Sequence, residues 1–221
     1  MAIHIFDVDQ TVVKKTTAQY FILTALEEKI LRFSQISRLP FDLIKYKLAR
    51  PDLDFIENTV KKLAGIKKSE LERVSEICFN TRIKQNIFSG AAQMIRSILE
   101  KNEKVLFATS SFDFIIKPLE DFFGIQGSLA TKMEYKDGIT TGKIDGYSVF
   151  GPKKKIASLE WIALNGINLK DVCFYSDSYT DIPLLEVCST PIVVNPDRIL
   201  EKNAIKNGWQ IIKFKEALGK D

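Results

Sequence analysis

Residues 2–13 read AIHIFDVDQTVV. Ile3, Ile5 and Phe6 form an apolar run that ends in Asp7, and Asp9 and Thr11 follow at every second position. The run predicts a buried strand from Ile3 to Asp7, with a loop over 10–15. Alternate side chains of an extended segment lie on one side. The two carboxyls therefore face each other, and they repel unless a cation lies between them. Desolvating an unpaired carboxylate costs several kcal/mol or more. An Asp-rich turn after a strand draws on the same residue types, so the rest of the chain has to decide between chemistry and a turn.

Thr16 or Thr17 can cap a helix that starts near Ala18. Helical patterning then continues over 17–37, 41–49, 53–64 and 69–83, broken at Pro40, Pro51 and Gly65. Ser69 and Glu72 form a capping box. No strand pattern interrupts this block, which reads as an all-helical insert. Beyond it, helices and apolar runs alternate. A helix over 90–101 leads to a strand, Lys104 to Ala108, that ends in Thr109, Ser110 and Ser111. A helix follows to Phe123 and Gly124 closes it. Runs at 127–135 and 139–144 flank Asp137-Gly138 as a β-hairpin. Gly151-Pro152 opens a helix over 153–165. A strand over 171–176 ends in Asp177, with Asp181 at the start of a short helix. A strand at 191–194, a helix at 197–207 and a strand at 209–214 complete the pattern. Such alternation predicts an α/β fold with a mostly parallel sheet and helices on both faces. Sheets of this kind bind ligands at the carboxyl ends of their strands. Three strands end there in polar groups, Asp7 with Asp9, Thr109 with Ser110, and Asp177 with Asp181. Packing does not call for that convergence.

The bulk properties exclude several classes. A length of 221 residues suits one large core, or a core with a smaller domain. A 45% apolar fraction excludes a disordered chain. The net charge of +4, from 32 basic and 28 acidic residues, does not call for nucleic acid. The lysines also lack the interleaved aromatics of a stacking surface. A slight preference for anionic small molecules is what the charge supports. Cys78, Cys173 and Cys188 share no metal-ligand spacing and fit a reducing compartment. There is no signal-peptide pattern. The longest uncharged stretch, Thr16 to Leu26, is about half of the ~20 residues that span a bilayer. A cytoplasmic location without stable membrane insertion is expected. The single histidine, His4, precedes the acids. A Ser-His-Asp mechanism and a multi-histidine zinc site are thereby excluded.

DxDxT at 7–11, a strand-end Thr109-Ser110, a helix-borne lysine and DxxxD at 177–181 resemble, in that order, the haloacid dehalogenase superfamily of phosphohydrolases. The helical insert is similar to the C1 cap of its phosphoserine-phosphatase-like branch. The segments KVLFATSSFDFIIKPLEDFFG, DGITTGKIDG, YSDSYTDIPLLE, VNPDRIL and NGWQIIKF look like the subfamily IB hydrolases. The resemblance implies a Rossmann-like core domain over 1–14 and 86–221 and a helical cap domain over 15–85. It also implies hydrolysis of a small-molecule phosphate monoester through an aspartyl-phosphate. A phosphotransferase, or a phosphatase for phospholipid-type esters such as phosphatidylglycerol phosphate or a lysophospholipid, is the alternative. A binding module that lost catalysis fits least, because every charged position is filled.

Chemical roles follow beside the resemblance. Asp7 suits the nucleophile, since a carboxylate can form an acyl-phosphate and split one hard displacement in two. Asp9 suits proton transfer to the leaving alcohol and from water. Mg²⁺ takes oxygen ligands and keeps several waters. Asp7 and Asp177 would hold it, with the Asp9 carbonyl as the family implies and Asp181 supporting from behind. Thr109 and the amides of Ser110 and Ser111, near a helix N-terminus, suit phosphate oxygens. Thr11 suits loop orientation. Lys153, Lys154 and Lys155 are adjacent, and spacing to Leu159 matches the family's lysine best at Lys155, ahead of Lys154. The phosphoserine phosphatases carry a glutamate nine residues after the nucleophile, where this chain has Thr16. Their cap arginine motif is also missing. Both departures argue against phosphoserine. The apolar stripe Tyr20, Phe21, Ile22, Leu23 and Leu26 reads as packing core or, less simply, a lipid-accepting wall.

Overall fold

Apolar residues at consecutive positions, rather than alternate ones, mark a strand covered on both faces, and β1 (Ile3–Phe6) has that pattern. The structure is a computed structural model that describes residues 2–31, 59–125 and 127–219. The expected helix at 41–49, and parts of those at 17–37 and 53–64, lie outside the described residues. After β1 come α1 (Thr17–Glu27), α2 (Lys68–Cys78), α3 (Ser89–Glu100), β2 (Lys104–Phe112) and α4 (Asp113–Phe123). The hairpin strands β3 (Ser128–Lys136) and β4 (Ile139–Asp145) follow, then α5 (Pro152–Leu164) and β5 (Val172–Ser176). The chain closes with α6 (Ile182–Leu185), β6 (Thr190–Val194), α7 (Arg198–Asn207) and β7 (Gln210–Ile212).

Among the described residues seven strands form one sheet, in the order β4-β3-β2-β1-β5-β6-β7. Every pairing is parallel except β3 with β4. The chain builds outward from β1 to β2 and β3 on one side, then from β5 to β6 and β7 on the other. The reversal beside β1 is where open α/β sheets bind ligands. Side-chain alternation splits the core. Phe6, Phe107, Tyr175 and Val194 pack with Ile95, Ile116 and Leu119 of α3 and α4. Ile5, Leu106, Phe174 and Val193 pack with Ile162, Leu184 and Leu200 of α5, α6 and α7. Burial of each such side chain stabilises the fold by about 1.5–3 kcal/mol. No helix of the described residues is long and apolar enough to cross a membrane.

The hairpin was expected, but not its place. β3 lies parallel to β2, with Phe107 opposite Ser128 and Ala108 opposite Leu129, so the hairpin extends the central sheet. It also holds the helical segment that precedes α2. Gly65 N–H donates to the Thr140 carbonyl at 2.9 Å, Thr140 N–H to the Ile66 carbonyl at 2.9 Å and Lys68 N–H to the Gly138 carbonyl at 2.8 Å. Gly142, at φ +74°, makes this contact possible. A Cβ there would meet the Ala64 Cβ at 2.8 Å and the Lys61 Cα at 3.3 Å.

Gly142→Ala is therefore expected to destabilise the protein by about 1–3 kcal/mol, from overpacking joined to a positive φ. Urea denaturation at constant slope checks this, and an unchanged midpoint would contradict the contact.

Candidate active site

β1 stops at Phe6, one residue sooner than expected, and a tight loop carries the acids. Val12 and Val13 N–H both donate to the Val8 carbonyl, at 2.8 and 3.0 Å, and Gln10 N–H donates to Val13 at 2.7 Å. Val8, Val12 and Val13 are fully buried and pin the loop from beneath. Gln10 adopts φ +61°, a conformation that is uncommon outside glycine and concentrated at functional loops. Turn geometry, and not simple strand alternation, therefore brings Asp9 next to Asp7.

Asp7 is anchored through its N–H, which donates to the Tyr175 carbonyl at 2.9 Å. Its Oδ1 accepts from the Lys154 ammonium at 2.9 Å, and that ammonium also donates to Asp181 Oδ2 at 2.7 Å. Ser176 Oγ donates to the same Asp181 oxygen at 2.7 Å. Thr11 Oγ1 donates to Asp177 Oδ1 at 3.3 Å. Asp9 Oδ1 accepts the Thr17 N–H at 2.7 Å, at the first turn of α1, where the helix dipole favours a carboxylate. The lysine at the acids is thus Lys154, not Lys155. The buried face of α5 is Lys154, Ala157, Ser158 and Ile162, and Lys155 lies about 100° round the helix, off that stripe.

The strand-end hydroxyls differ from expectation too. β2 continues as strand through Thr109, Ser110 and Ser111 to Phe112, and α4 starts only at Asp113. The Ser111 N–H is not open to a ligand at a helix N-terminus, because it donates to Thr109 Oγ1 at 3.1 Å. The Ser111 hydroxyl bonds to that of Thr17. The Ser110 carbonyl accepts from Thr131 Oγ1 at 2.9 Å. Thr109 is buried, and among the described residues its hydroxyl accepts from Ser111 and meets no acceptor of its own.

Three positioning residues escaped the sequence reading. Thr17 ties α1 both to Asp9 and to Ser111. Ser176 orients Asp181. Asp197 caps α7, and its N–H donates to the Asp177 carbonyl at 2.9 Å while its Oδ2 accepts from Tyr179 N–H at 2.7 Å. A capping signal at Thr16-Thr17 and at Asn195-Pro196-Asp197 was available for two of them.

Electrostatically the cluster is poised. Burial pushes the Asp7 carboxyl from 3.8 up to about 7, against the pull of Lys154 and with help from Asp181 and Asp9. Burial likewise raises Asp177 well above the usual carboxylate range, reinforced by Asp7 and Asp181. Burial raises Asp9 as well, opposed by the Thr17 N–H. Burial works against the Lys154 charge, but Asp181 and Asp7 outweigh it and hold the ammonium above its ordinary value. Such a cluster can present a carboxylate and a fixed cation to a reacting group.

The family model for haloacid dehalogenase-like hydrolases matches residues 5–186, and the chain belongs to that family. It is similar to a histidinol-phosphatase of Neisseria meningitidis, 30% identical over 220 residues that cover 96% of this chain and 98% of that one. It is 28% identical to a phosphoserine phosphatase of Mycobacterium tuberculosis over 217 residues, 96% of this chain and 70% of that one. A solved protein of unknown function from Bordetella pertussis has a TM-score of 0.84 at 29% identity, over 95% of this chain and 97% of that one. A substrate-bound phosphoserine phosphatase shares the fold, with a TM-score of 0.70 at 19% identity over 98% and 94% of the two chains. Within the family, the chain is a phosphoric monoester hydrolase.

Lys154→Met leaves buried carboxylates without their cation, which costs about 3–5 kcal/mol; turnover of p-nitrophenyl phosphate should be lost with it. Lys155→Met should stay within about 0.5 kcal/mol of the parent and keep its turnover. Paired denaturation and activity assays separate the two lysines, and the reverse outcome would restore Lys155.

Proposed function

We propose that the protein hydrolyses a small-molecule phosphate monoester in two steps at Asp7, with Mg²⁺ as its cofactor. The observation that carries this is the buried Asp7–Lys154–Asp181 chain at the carboxyl edge of the parallel strands. In the first step an Asp7 oxygen attacks phosphorus, and Asp9 gives a proton to the departing alkoxide. In the second step Asp9 takes a proton from the water that attacks the aspartyl-phosphate, and Asp7 is regenerated as phosphate leaves. Lys154 offsets the charge that burial disfavours on Asp7 and faces the phosphoryl oxygens. Thr109 donates its hydroxyl to the same group.

The donor chemistry fits Mg²⁺. The acids offer hard oxygens only, and Asp181 Oδ1 is buried with no hydrogen-bond partner among the described residues. Among those residues no three His, Cys, Asp or Glu side chains are gathered into a ready metal cluster. Asp7 and Asp177, with the Asp9 carbonyl, would hold the ion, while Asp181 secures Lys154. When bound, the ion supplies charge that lets an anionic nucleophile approach an anionic ester.

We read residues 15–85 as a cap over this site. The chain leaves the core and returns to it side by side. Lys14 N–H donates to the Asn86 carbonyl and Phe88 N–H to the Val12 carbonyl, both at 2.9 Å. Thr16, where the phosphoserine branch has an acid, caps α1 by accepting the Gln19 N–H at 3.4 Å. Its role favours an ester other than phosphoserine.

Asp7→Asn should abolish Mg²⁺-dependent turnover of p-nitrophenyl phosphate, and Asp9→Asn should lower it by roughly 10²–10⁴-fold. EDTA should remove the parent's activity and Mg²⁺ restore it. Full turnover by Asp7→Asn would refute the nucleophile assignment.

The metal-free protein should also respond to pH. The folded Asp7 carboxyl, at about 7, binds its proton more tightly than the unfolded one near 3.8. That contribution is complete below the unfolded value and lost as pH rises through the folded one. Stability in EDTA should therefore fall between about pH 4 and 7. Because Mg²⁺ competes with those protons, it should raise Tm more at about pH 8 than at about pH 5.5. Calorimetry in EDTA and in Mg²⁺ checks both statements.

A further inference from the structure

A cleft of about 370 Å³ lies outside the acid cluster, and the mechanism leaves it unused. Its walls are Val60 and Lys61, the β4 residues Gly142, Lys143 and Ile144, the following Gly146, Tyr147 and Ser148, and Lys153 at the start of α5. Three of these nine residues are lysines and none is acidic. Among the described residues Lys61, Lys143 and Lys153 take part in no ion pair with a carboxylate of this chain. The Lys153 ammonium instead lies over the Tyr147 ring, 5.2 Å from its centroid.

Two connections lead from the cleft towards the reacting centre. Lys153 is the residue before Lys154. Ser148 is buried and lies 3.5 Å, hydroxyl to hydroxyl, from Thr131, which also donates to the Ser110 carbonyl at 2.9 Å. Val149 N–H donates to the same Thr131 oxygen at 3.1 Å. The bare Gly142 backbone lets the Lys61 main chain close the far wall. Where the alcohol half of an ester held at Asp7 reaches this cleft, it would meet three lysines that pair with no carboxylate among the described residues.

We infer that the substrate of this site carries a second anionic group, a carboxylate or another phosphate, on the alcohol half, and that Lys61, Lys143 and Lys153 recognise it. The inference rests on the phosphatase reading above and goes beyond it, since the acids of the site are indifferent to the leaving group. An alcohol half bearing an ammonium, as in an amino-alcohol phosphate, is disfavoured by the same three charges.

The test holds shape constant and varies charge. Phenyl phosphate, p-carboxyphenyl phosphate, p-phenylene bisphosphate and p-(aminomethyl)phenyl phosphate are assayed with the Mg²⁺-loaded protein. The two anionic esters should exceed phenyl phosphate in kcat/KM by roughly tenfold, through KM, as two or three partly solvated charges allow. The ammonium ester should fall below it. Raising salt from about 0.05 to 0.5 M should compress the ranking, because the charges are screened. In the Lys61→Ala, Lys143→Ala double variant, the anionic-to-neutral ratio of kcat/KM should drop towards one. The inference is overturned if neither anionic ester exceeds phenyl phosphate, or if the double variant keeps the parent's ratio. Should that variant fail to fold, the parent's ranking and its salt dependence decide alone. A parent protein that turns over none of the esters, phenyl phosphate included, would instead sink the phosphatase reading.

Discussion

One buried cation between two carboxylates organises the molecule. Removing an ion from water costs several kcal/mol even after relaxation, and mutual attraction repays that only with good geometry and added hydrogen bonds. Lys154 meets those terms by donating to Asp7 and to Asp181, and Asp181 gains a further bond from Ser176. The three groups come from three places, the end of β1, the turn after β5 and the first turn of α5. Their meeting depends on the register that pairs Phe6 with Tyr175. A one-residue slip of β1 would turn its side chains to the opposite face. The hydrophobic sandwich around β1 and β5 is thus what holds the charges at their distances.

The sheet was legible because strands buried on both faces write themselves as unbroken apolar runs, as in Ile3–Phe6 and Val172–Ser176. The acids were legible because nothing in packing asks for carboxylates at strand ends. Two details failed for a shared reason. Thr109, Ser110 and Ser111 read as the polar end of a strand that stops at Ala108, near a helix N-terminus, because hydroxyls carry no apolar period, yet they continue β2, and neighbours distant in sequence, Thr17 and Thr131, take up their polar atoms. Lys155 was preferred from spacing to Leu159, whereas the stripe Ala157, Ser158 and Ile162 extrapolates back to Lys154. Local spacing gave the residue type, and the helical face gave the residue.

The hairpin shows a different limit. Asp137-Gly138 announces a turn, but no local signal says that β3 will add to β2, or that β4 will bond to the segment before α2. Those contacts join residues roughly 70 apart in the chain, as in Ile66 N–H donating to Thr140 Oγ1 at 3.2 Å. They couple the helical segment to the sheet edge. A partition of the sequence at residues 85 and 86 therefore understates how closely the second half of the chain holds that segment.

Lys153 and Lys154 are the same residue type, adjacent on one helix, and the fold assigns them opposite physics. Lys154 is 4% exposed, and its charge is fixed by two carboxylates, so its ordering entropy is spent in folding and none is lost when substrate arrives. Lys153 is exposed, and its ammonium rests over Tyr147 with no carboxylate paired to it among the described residues. A solvated, mobile charge of that kind is weak in affinity and strongly salt-dependent, but it tolerates ligands of differing length. On the reading proposed above, rigid charge would serve the phosphoryl group, which every phosphate ester shares, and loose charge along the cleft would meet the part in which the esters differ. Adjacent positions on one helix, about 100° apart, differ in this way because burial, and not residue identity, sets how far each lysine can adjust.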